Sequence, residues 1–198
     1  MSRIRNSRKH ETHERIVDVA ARVIRLHGYA GVGVADVMKK AGLTHGGFYA
    51  HFDSRDALLV EALERAGRES GEAVKSAVEE RAAEGVSAFR ALVESYLADE
   101  HLASLDTGCP VAALAADMPR QSAPVREASA GRVRRLVAGV RSTLPHASRA
   151  TASVVAGTLV GTLQLGRAMG ANADGRAMLS AARNALIQQY DTSNAAVG

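Results

Sequence analysis

One cysteine, four prolines and no tryptophan are all that 198 residues hold of these types, and each scarcity closes off a class of protein. A lone Cys109 permits no internal disulfide, so a stapled secreted scaffold is excluded and a reducing compartment fits. Aromatic residues amount to 4%, too few for sheets that depend on aromatic and β-branched packing. Alanine, valine, leucine and arginine abound instead, a mixture that favours helices because alanine and straight-chain residues lose little freedom there. Long hydrophobic runs are missing too. The most apolar stretch, between Arg149 and Arg167, is interrupted by Thr151, Ser153, Thr158, Thr162 and Gln164, which reads as a buried helix rather than a membrane span. Arg3, Arg5, Arg8 and Lys9 open the chain where a signal peptide would need an apolar core, so a cytoplasmic protein without membrane contact is expected. Hydrophobic residues still make up 46%, enough for a substantial core.

Charge is unevenly placed. Residues 1–55 carry ten Lys/Arg against five Asp/Glu, and the remainder fifteen against sixteen. All the excess positive charge therefore sits in the first quarter, which suggests a polyanion-binding end on a near-neutral body; a merely solvated basic arm would look the same. Arg3, Arg5, Arg8 and Lys9 are expected to form a disordered arm.

Helical periodicity then organises the chain. From Glu11 to Leu26, Ile16, Val19, Ala20, Val23 and Ile24 share one face, with Glu14, Arg15, Asp18, Arg22 and Arg25 outside it. Gly28 suits the C-cap. A short helix follows over Val34–Ala41, Gly42 supplies a turn that needs positive φ, and a third helix runs from about His45 to Phe52 with Phe48 and Phe52 buried. Ser54 suits the N-cap of a fourth helix, in which Leu58, Leu59, Ala62, Leu63 and Ala66 point inward. Further helices are expected over 73–83 (separate, or continuing the fourth), 86–104, 107–117, 125–144 with a break at Pro145, 148–169 and 174–190. The tail from Thr192 to Gly198 should fray.

Two short helices around a glycine turn, braced by an amphipathic helix, make a helix-turn-helix over roughly residues 11–56. Val37, Ala41, Leu43, Phe48 and Phe52 are its anchors, and His45, Gly46, Tyr49 and Ala50 its exposed face. Such a face fits the DNA major groove, where the helix start reaches base edges. The run Ala41-Gly42-Leu43-Thr44-His45-Gly46-Gly47-Phe48-Tyr49-Ala50-His51-Phe52-Asp53-Ser54-Arg55-Asp56-Ala57-Leu58-Leu59, with the preceding helix and the Gly28-Tyr29-Ala30-Gly31 turn, resembles the DNA-binding signature of the TetR family of repressors. The specific likeness covers about fifty residues.

That resemblance implies an all-α fold: a DNA-binding domain over 1–56 and a helical ligand-binding and dimerisation domain over 57–198. It places His45 and Gly46 at base-facing positions and Tyr49 against bases or backbone, and it sets Thr44, Gly47, His51 and Arg55 near phosphates. Gly33 stands where the family commonly has a phosphate-touching Ser or Thr, so a backbone amide would have to substitute. The implied partners are a double-stranded, palindromic operator, a second copy of the chain, and a small effector that releases the DNA. Ala152, Ala156, Gly157, Gly161 and Ala168 give small residues at helical spacing in the penultimate helix, either for a four-helix dimer interface with the last helix or for close packing within one subunit. Phe89, Leu92, Val93, Tyr96, Val111, Leu114 and Met118 are candidate lining for a largely apolar effector, or ordinary core.

Cys109 precedes Pro110 at an expected helix start, where the helix dipole favours thiolate; nearby Asp99, Glu100 and Asp106 oppose that effect. The Gly-Cys element also resembles a TetR subgroup whose cysteine responds to electrophiles or oxidants. An activator or an architectural protein on the same fold remains an alternative, as does a small helical enzyme or carrier. Against an enzyme, the chain has no Gly-x-Ser-x-Gly elbow, no Gly-x-x-x-x-Gly-Lys phosphate loop and no Cys/His pair at zinc spacing. His10 and His13 lie three apart without oriented carboxylates, so no metal and no cofactor are expected.

Overall fold

The computed structural model describes residues 2–144 and 149–191, with side chains from Ser7 onward. Among these residues the protein is all-α, without strands. The helices are α1 (Ser2–His27), α2 (Val34–Lys40), a 3-10 helix η1 (His45–Ala50), α3 (Arg55–Ala83), α4 (Ala88–Tyr96), α5 (Asp99–Ala103), α6 (Pro110–Leu114), a 3-10 turn η2 (Met118–Arg120), α7 (Ala123–Ser142), α8 (Arg149–Met169) and α9 (Ala173–Tyr190). The expected break at Pro145 and the fraying of Thr192–Gly198 lie outside the described residues.

The chain divides into two compact units. The first comprises Met1–Arg68 with Cys109–Arg132, and the second Glu69–Gly108 with Val133–Gly198. In the first, Ile16, Ala20, Ile24, Val32, Val37, Leu58, Ala62 and Leu63 are fully buried. Gly28 ends α1 with φ +69° and Gly42 closes the turn after α2 with φ +72°, the left-handed region that a residue without Cβ enters freely. In the second unit, α8 and α9 form a hairpin whose turn is Gly170 (φ +97°). The Asn172 side chain caps α9 by accepting from the Asp174 and Gly175 amides at 3.0 and 3.1 Å.

Several expectations need correction. Residues 2–10 are not a disordered arm: Arg3, Arg5, Arg8 and Lys9 stand on α1, which runs unbroken from Ser2. No Gly or Pro interrupts those residues, so a helix nucleated by the amphipathic segment propagates backward at little cost. Ser7 Oγ also donates to the Glu11 carboxylate at 2.8 Å. Arg25, expected outside, is 5% exposed, and its guanidinium donates to the Ala66 carbonyl at 3.1 Å. The segment 73–83 continues α3 as one helix of 29 residues.

The single helix expected over 86–104 is two, broken at Leu97–Ala98, where Ala98 turns extended (ψ 154°). Carbonyls released at the break find side chains: Tyr96 O contacts His101 Nδ1 at 2.7 Å and Leu97 O accepts from Arg183 at 3.2 Å. The helix expected over 107–117 shrinks to Pro110–Leu114. The recognition segment is a 3-10 helix rather than a regular α-helix; two consecutive glycines, Gly46 and Gly47, weaken its preference for the wider winding.

Candidate nucleic-acid interface

The reading head is built on an aromatic anchor. Phe48 and Phe52 are 1% and 3% exposed and stack with centroids 5.4 Å apart. Phe52 continues the stack onto the His13 ring of α1 at 4.5 Å, and His13 Nε2 meets the Glu61 carboxylate of α3 at 2.6 Å. Arg65 of α3 pairs with both Glu14 and Asp18. These contacts fix η1 against α1 and α3, so that one face is locked and the other left open.

The open face carries the expected readers. Thr44, His45, Gly46 and Ala50 are exposed, and Tyr49 is 72% exposed, its ring edge-on to Phe48 at 5.2 Å. Gly47 is half-buried; a Cβ there would lie 3.6 Å from Met38 Cε, so it packs η1 against α2 as much as it faces outward. Thr44 is the N-cap of η1 in extended conformation, without a side-chain capping bond, which leaves its hydroxyl available. Gly33 is the N-cap of α2, likewise with no side-chain bond.

Arg55 is half-buried, and its guanidinium donates to the Val32 carbonyl at 2.9 Å and to the Tyr29 carbonyl. It therefore ties the loop between α1 and α2 to the start of α3. His51 is half-buried as well, and its Nδ1 has no hydrogen-bond partner. Burial, then the neighbouring His13 and Lys9, push its pKa below the ordinary 6.5. At neutral pH it is an uncharged ring with one N–H to donate.

Lys9, His10 and His13 of α1 line an open cleft of about 530 Å³ together with Ala50 and His51. Sequence reading places Lys9 in a basic arm and leaves His10 and His13 out of the interface. Once α1 is traced back to Ser2, positions 9, 10 and 13 fall on one helical face, and that is the signal that could have found them.

This arrangement is a helix-turn-helix with a basic flank, and known proteins share it. Residues 16–62 match the family model "Bacterial regulatory proteins, tetR family". Residues 85–185, half of the chain, match the "Tetracyclin repressor-like, C-terminal domain". The chain belongs to the TetR family of transcriptional regulators. Among its relatives, the HTH-type transcriptional regulator LmrA of Bacillus subtilis is 30% identical over 122 residues, 60% of this chain and 63% of LmrA. The chain spans less than two thirds of the length of the curated relatives it matches. A TetR transcriptional regulator from Chloroflexus aurantiacus has the same fold, with a TM-score of 0.71 at 21% identity over 92% of this chain and 97% of that one. AibR, solved with isovaleryl coenzyme A and operator DNA, superposes with a TM-score of 0.62 at 16% identity over 90% and 97%.

In TetR terms, the residues expected to line an effector pocket are all buried. Phe89, Leu92, Val93 and Tyr96 lie on α4 in the second unit; Val111, Leu114 and Met118 lie in the first. Cys109 is the N-cap of α6 and 4% exposed, so a reagent reaches its thiol only when this segment opens. The small residues of α8 divide. Ala152 and Ala156 are buried inside the subunit, whereas a Cβ on Gly157 or Gly161 would meet nothing within 4 Å. Among the described residues, no helix is long and apolar enough to cross a membrane.

Proposed function

We propose that this TetR-family regulator is a ligand-released repressor that binds a palindromic operator as a homodimer. The observation that carries the reading is the exposed segment Thr44–Tyr49, held rigid on the buried Phe48–Phe52 pair. Polar and aromatic groups left in water on a fixed frame suit base-edge contact in the major groove, with His45 and Gly46 at the bases, Tyr49 at bases or backbone, and Thr44 and His51 at phosphates.

A homodimer is supported by the outer face of α8. Val154, Leu165 and Met169 are 60%, 58% and 45% exposed, flanking Gly157 and Gly161, where a second helix could approach closely. Two-fold symmetry would then set half-sites roughly 34 Å apart. The apolar side chains buried on α4, Phe89, Leu92, Val93 and Tyr96, support a small, largely apolar effector, which would act by favouring a conformation whose two reading heads no longer match the groove spacing. Both units draw on α3 and α7, so these helices are the levers available.

The test is selection of random duplexes by the purified protein, followed by gel-shift and light-scattering measurements. Enrichment of a palindrome bound by two copies is expected, with affinity falling steeply as salt rises. Binding indifferent to sequence, or a monomer at micromolar concentration, would overturn the reading.

A further inference from the structure

Because α1 runs back to Ser2, it carries basic side chains to the flank of the reading head. Lys9, His10 and His13 face Ala50 and His51 across the open cleft of about 530 Å³, and among the described residues no carboxylate lines it. The His13 and His51 rings stand 6.0 Å apart, centroid to centroid. His51 Nδ1 is buried without a hydrogen-bond partner, so an acceptor is missing where the ring could donate. The neighbouring acids have other work. Glu61 of α3 holds His13 Nε2 at 2.6 Å, Glu11 accepts from Ser7 at 2.8 Å, and Glu14 pairs with Arg65. Asp53, two residues past His51, is exposed.

A basic helix start is ordinarily just solvated. Here the side chains converge on one hollow, and Ala50, exposed on the reading face, is part of its wall. We infer, building on the DNA-binding reading proposed above, that this cleft seats a backbone phosphate of the bound duplex and takes up protons as it does so. Operator affinity then rises as pH falls.

Seating Thr44–Tyr49 in a major groove about 12 Å wide brings the flanking sugar-phosphate strand past Ala50 and onto this cleft. Lys9 supplies a point charge, and each imidazole an N–H donor. A neutral ring donates through one nitrogen; a protonated ring donates through both and adds a charge. In the free protein, burial and then His13 and Lys9 disfavour charge on His51. A phosphate within about 4–6 Å opposes that and raises the titration midpoints of the rings beside it. The complex therefore holds protons that the free protein has released. The gain in affinity is absent well above the bound midpoint and complete below the free one.

The full-length protein is titrated with a duplex selected from the random pool at pH 8, 7 and 6, at constant ionic strength. Histidine ring protons are followed by NMR with and without that duplex. Affinity should rise at least about threefold from pH 8 to pH 6, and the His51 midpoint should move up on the duplex. Inorganic phosphate alone should leave that midpoint in place. His10→Gln and His51→Gln together should remove most of the pH dependence. His10→Gln alone, at an exposed position, should remove part of it and covers the case of a double variant that does not fold. His45→Gln, outside the cleft, should bind more weakly but keep the dependence. An affinity indifferent to pH, a dependence that survives in the cleft variants or vanishes with His45→Gln, or an equal His51 shift with inorganic phosphate would each overturn the inference and leave the DNA-binding reading standing. No binding of any selected duplex at any pH would overturn both.

Discussion

The Tyr29 phenol and the Ser129 hydroxyl meet at 2.7 Å, a hundred residues apart in sequence and both almost wholly buried. Ser129 donates its own proton to the Val125 carbonyl at 2.7 Å, so Tyr29 is the donor to Ser129. The loop after α1 and the first turns of α7 are thereby joined within one compact unit. Tyr29→Phe should lower stability by about 1 kcal/mol, because Ser129 keeps its bond to Val125 and only the phenol is lost. Burial, and secondarily the Asp117 carboxylate, raise the Tyr29 pKa above 10 against the opposing Ser129 bond. The native state therefore keeps a proton that the unfolded chain has already released, and stability should fall as pH rises past 10. Urea midpoints at pH 8 and pH 10.5 check both claims; Tyr29→Phe should show the shallower loss.

Gly33 offers a gain instead of a loss. Its φ of −81° and ψ of 130° suit any residue at an N-cap, and a Cβ would lie 3.5 Å from the Asp36 carboxylate, an ordinary contact. Gly33→Ser supplies the missing cap and should raise stability by a few tenths of a kcal/mol. It also places a hydroxyl where the proposed phosphate contact lacks one, so affinity for selected DNA should rise in a gel shift. Unchanged affinity with raised stability would show that α2 does not approach the backbone there.

Most of the reading head was legible because its signals are local. Gly28 and Gly42 mark positive φ, Ser54 caps α3 through the Ala57 amide at 3.1 Å, and Phe48 and Phe52 bury at the expected spacing. What stayed hidden depends on partners distant in sequence. The break at Leu97 is stabilised by Arg183, 86 residues on, while hydrophobic periodicity runs through it undisturbed. Arg25 looks like a surface residue until the Ala66 carbonyl is placed beside it. The family resemblance sets Arg55 near phosphates, and only the folded loop shows its guanidinium turned onto the Tyr29 and Val32 carbonyls.

His45→Ala and Tyr49→Ala should leave the urea midpoint unchanged, since both side chains are exposed. Each should weaken operator binding, and His45→Ala should alter base preference by on the order of 1–3 kcal/mol at one position. Arg55→Ala behaves differently. It loses bonds to two backbone carbonyls, so stability should fall together with affinity for every sequence. Stability and binding measured on the same three variants separate readers from scaffold; a Tyr49→Ala protein that unfolds would refute the outward placement of that ring.

His101 should make the second unit acid-sensitive. Its ring lies edge-on to Tyr96 at 5.0 Å, and burial, with Arg167 adding to it, lowers its pKa to about 4 against the opposing bond to the Tyr96 carbonyl. Between pH 6.5 and 4 the unfolded chain binds a proton that the native state refuses, so stability present above pH 6.5 is lost as pH falls toward 4. The lowered pKa limits this contribution to on the order of 3 kcal/mol. His101→Gln, which can still donate to the Tyr96 carbonyl, should flatten the dependence between pH 7.5 and pH 5. An equal slope in both proteins would locate the acid sensitivity elsewhere.

Two glycines of the α8–α9 hairpin should respond oppositely to the same substitution. A Cβ on Gly175 would lie 2.1 Å from the Gly170 carbonyl oxygen and 2.9 Å from that of Gly166. Both obstacles are backbone, so neither can swing aside, and Gly175→Ala should unfold or strongly destabilise the subunit. On Gly157 a Cβ meets nothing within 4 Å, and replacing a helical glycine by alanine removes backbone freedom from the unfolded chain. Within one subunit, Gly157→Ala should therefore stabilise by about 1 kcal/mol. If a second copy packs on this face, a larger side chain must separate the helices, and Gly157→Leu should weaken the dimer while each subunit stays helical. Sedimentation across a concentration series, read beside circular dichroism, distinguishes the two effects. A Gly157→Leu protein that dimerises as tightly as the wild type would remove α8 from the proposed interface and return its open glycines to the solvent.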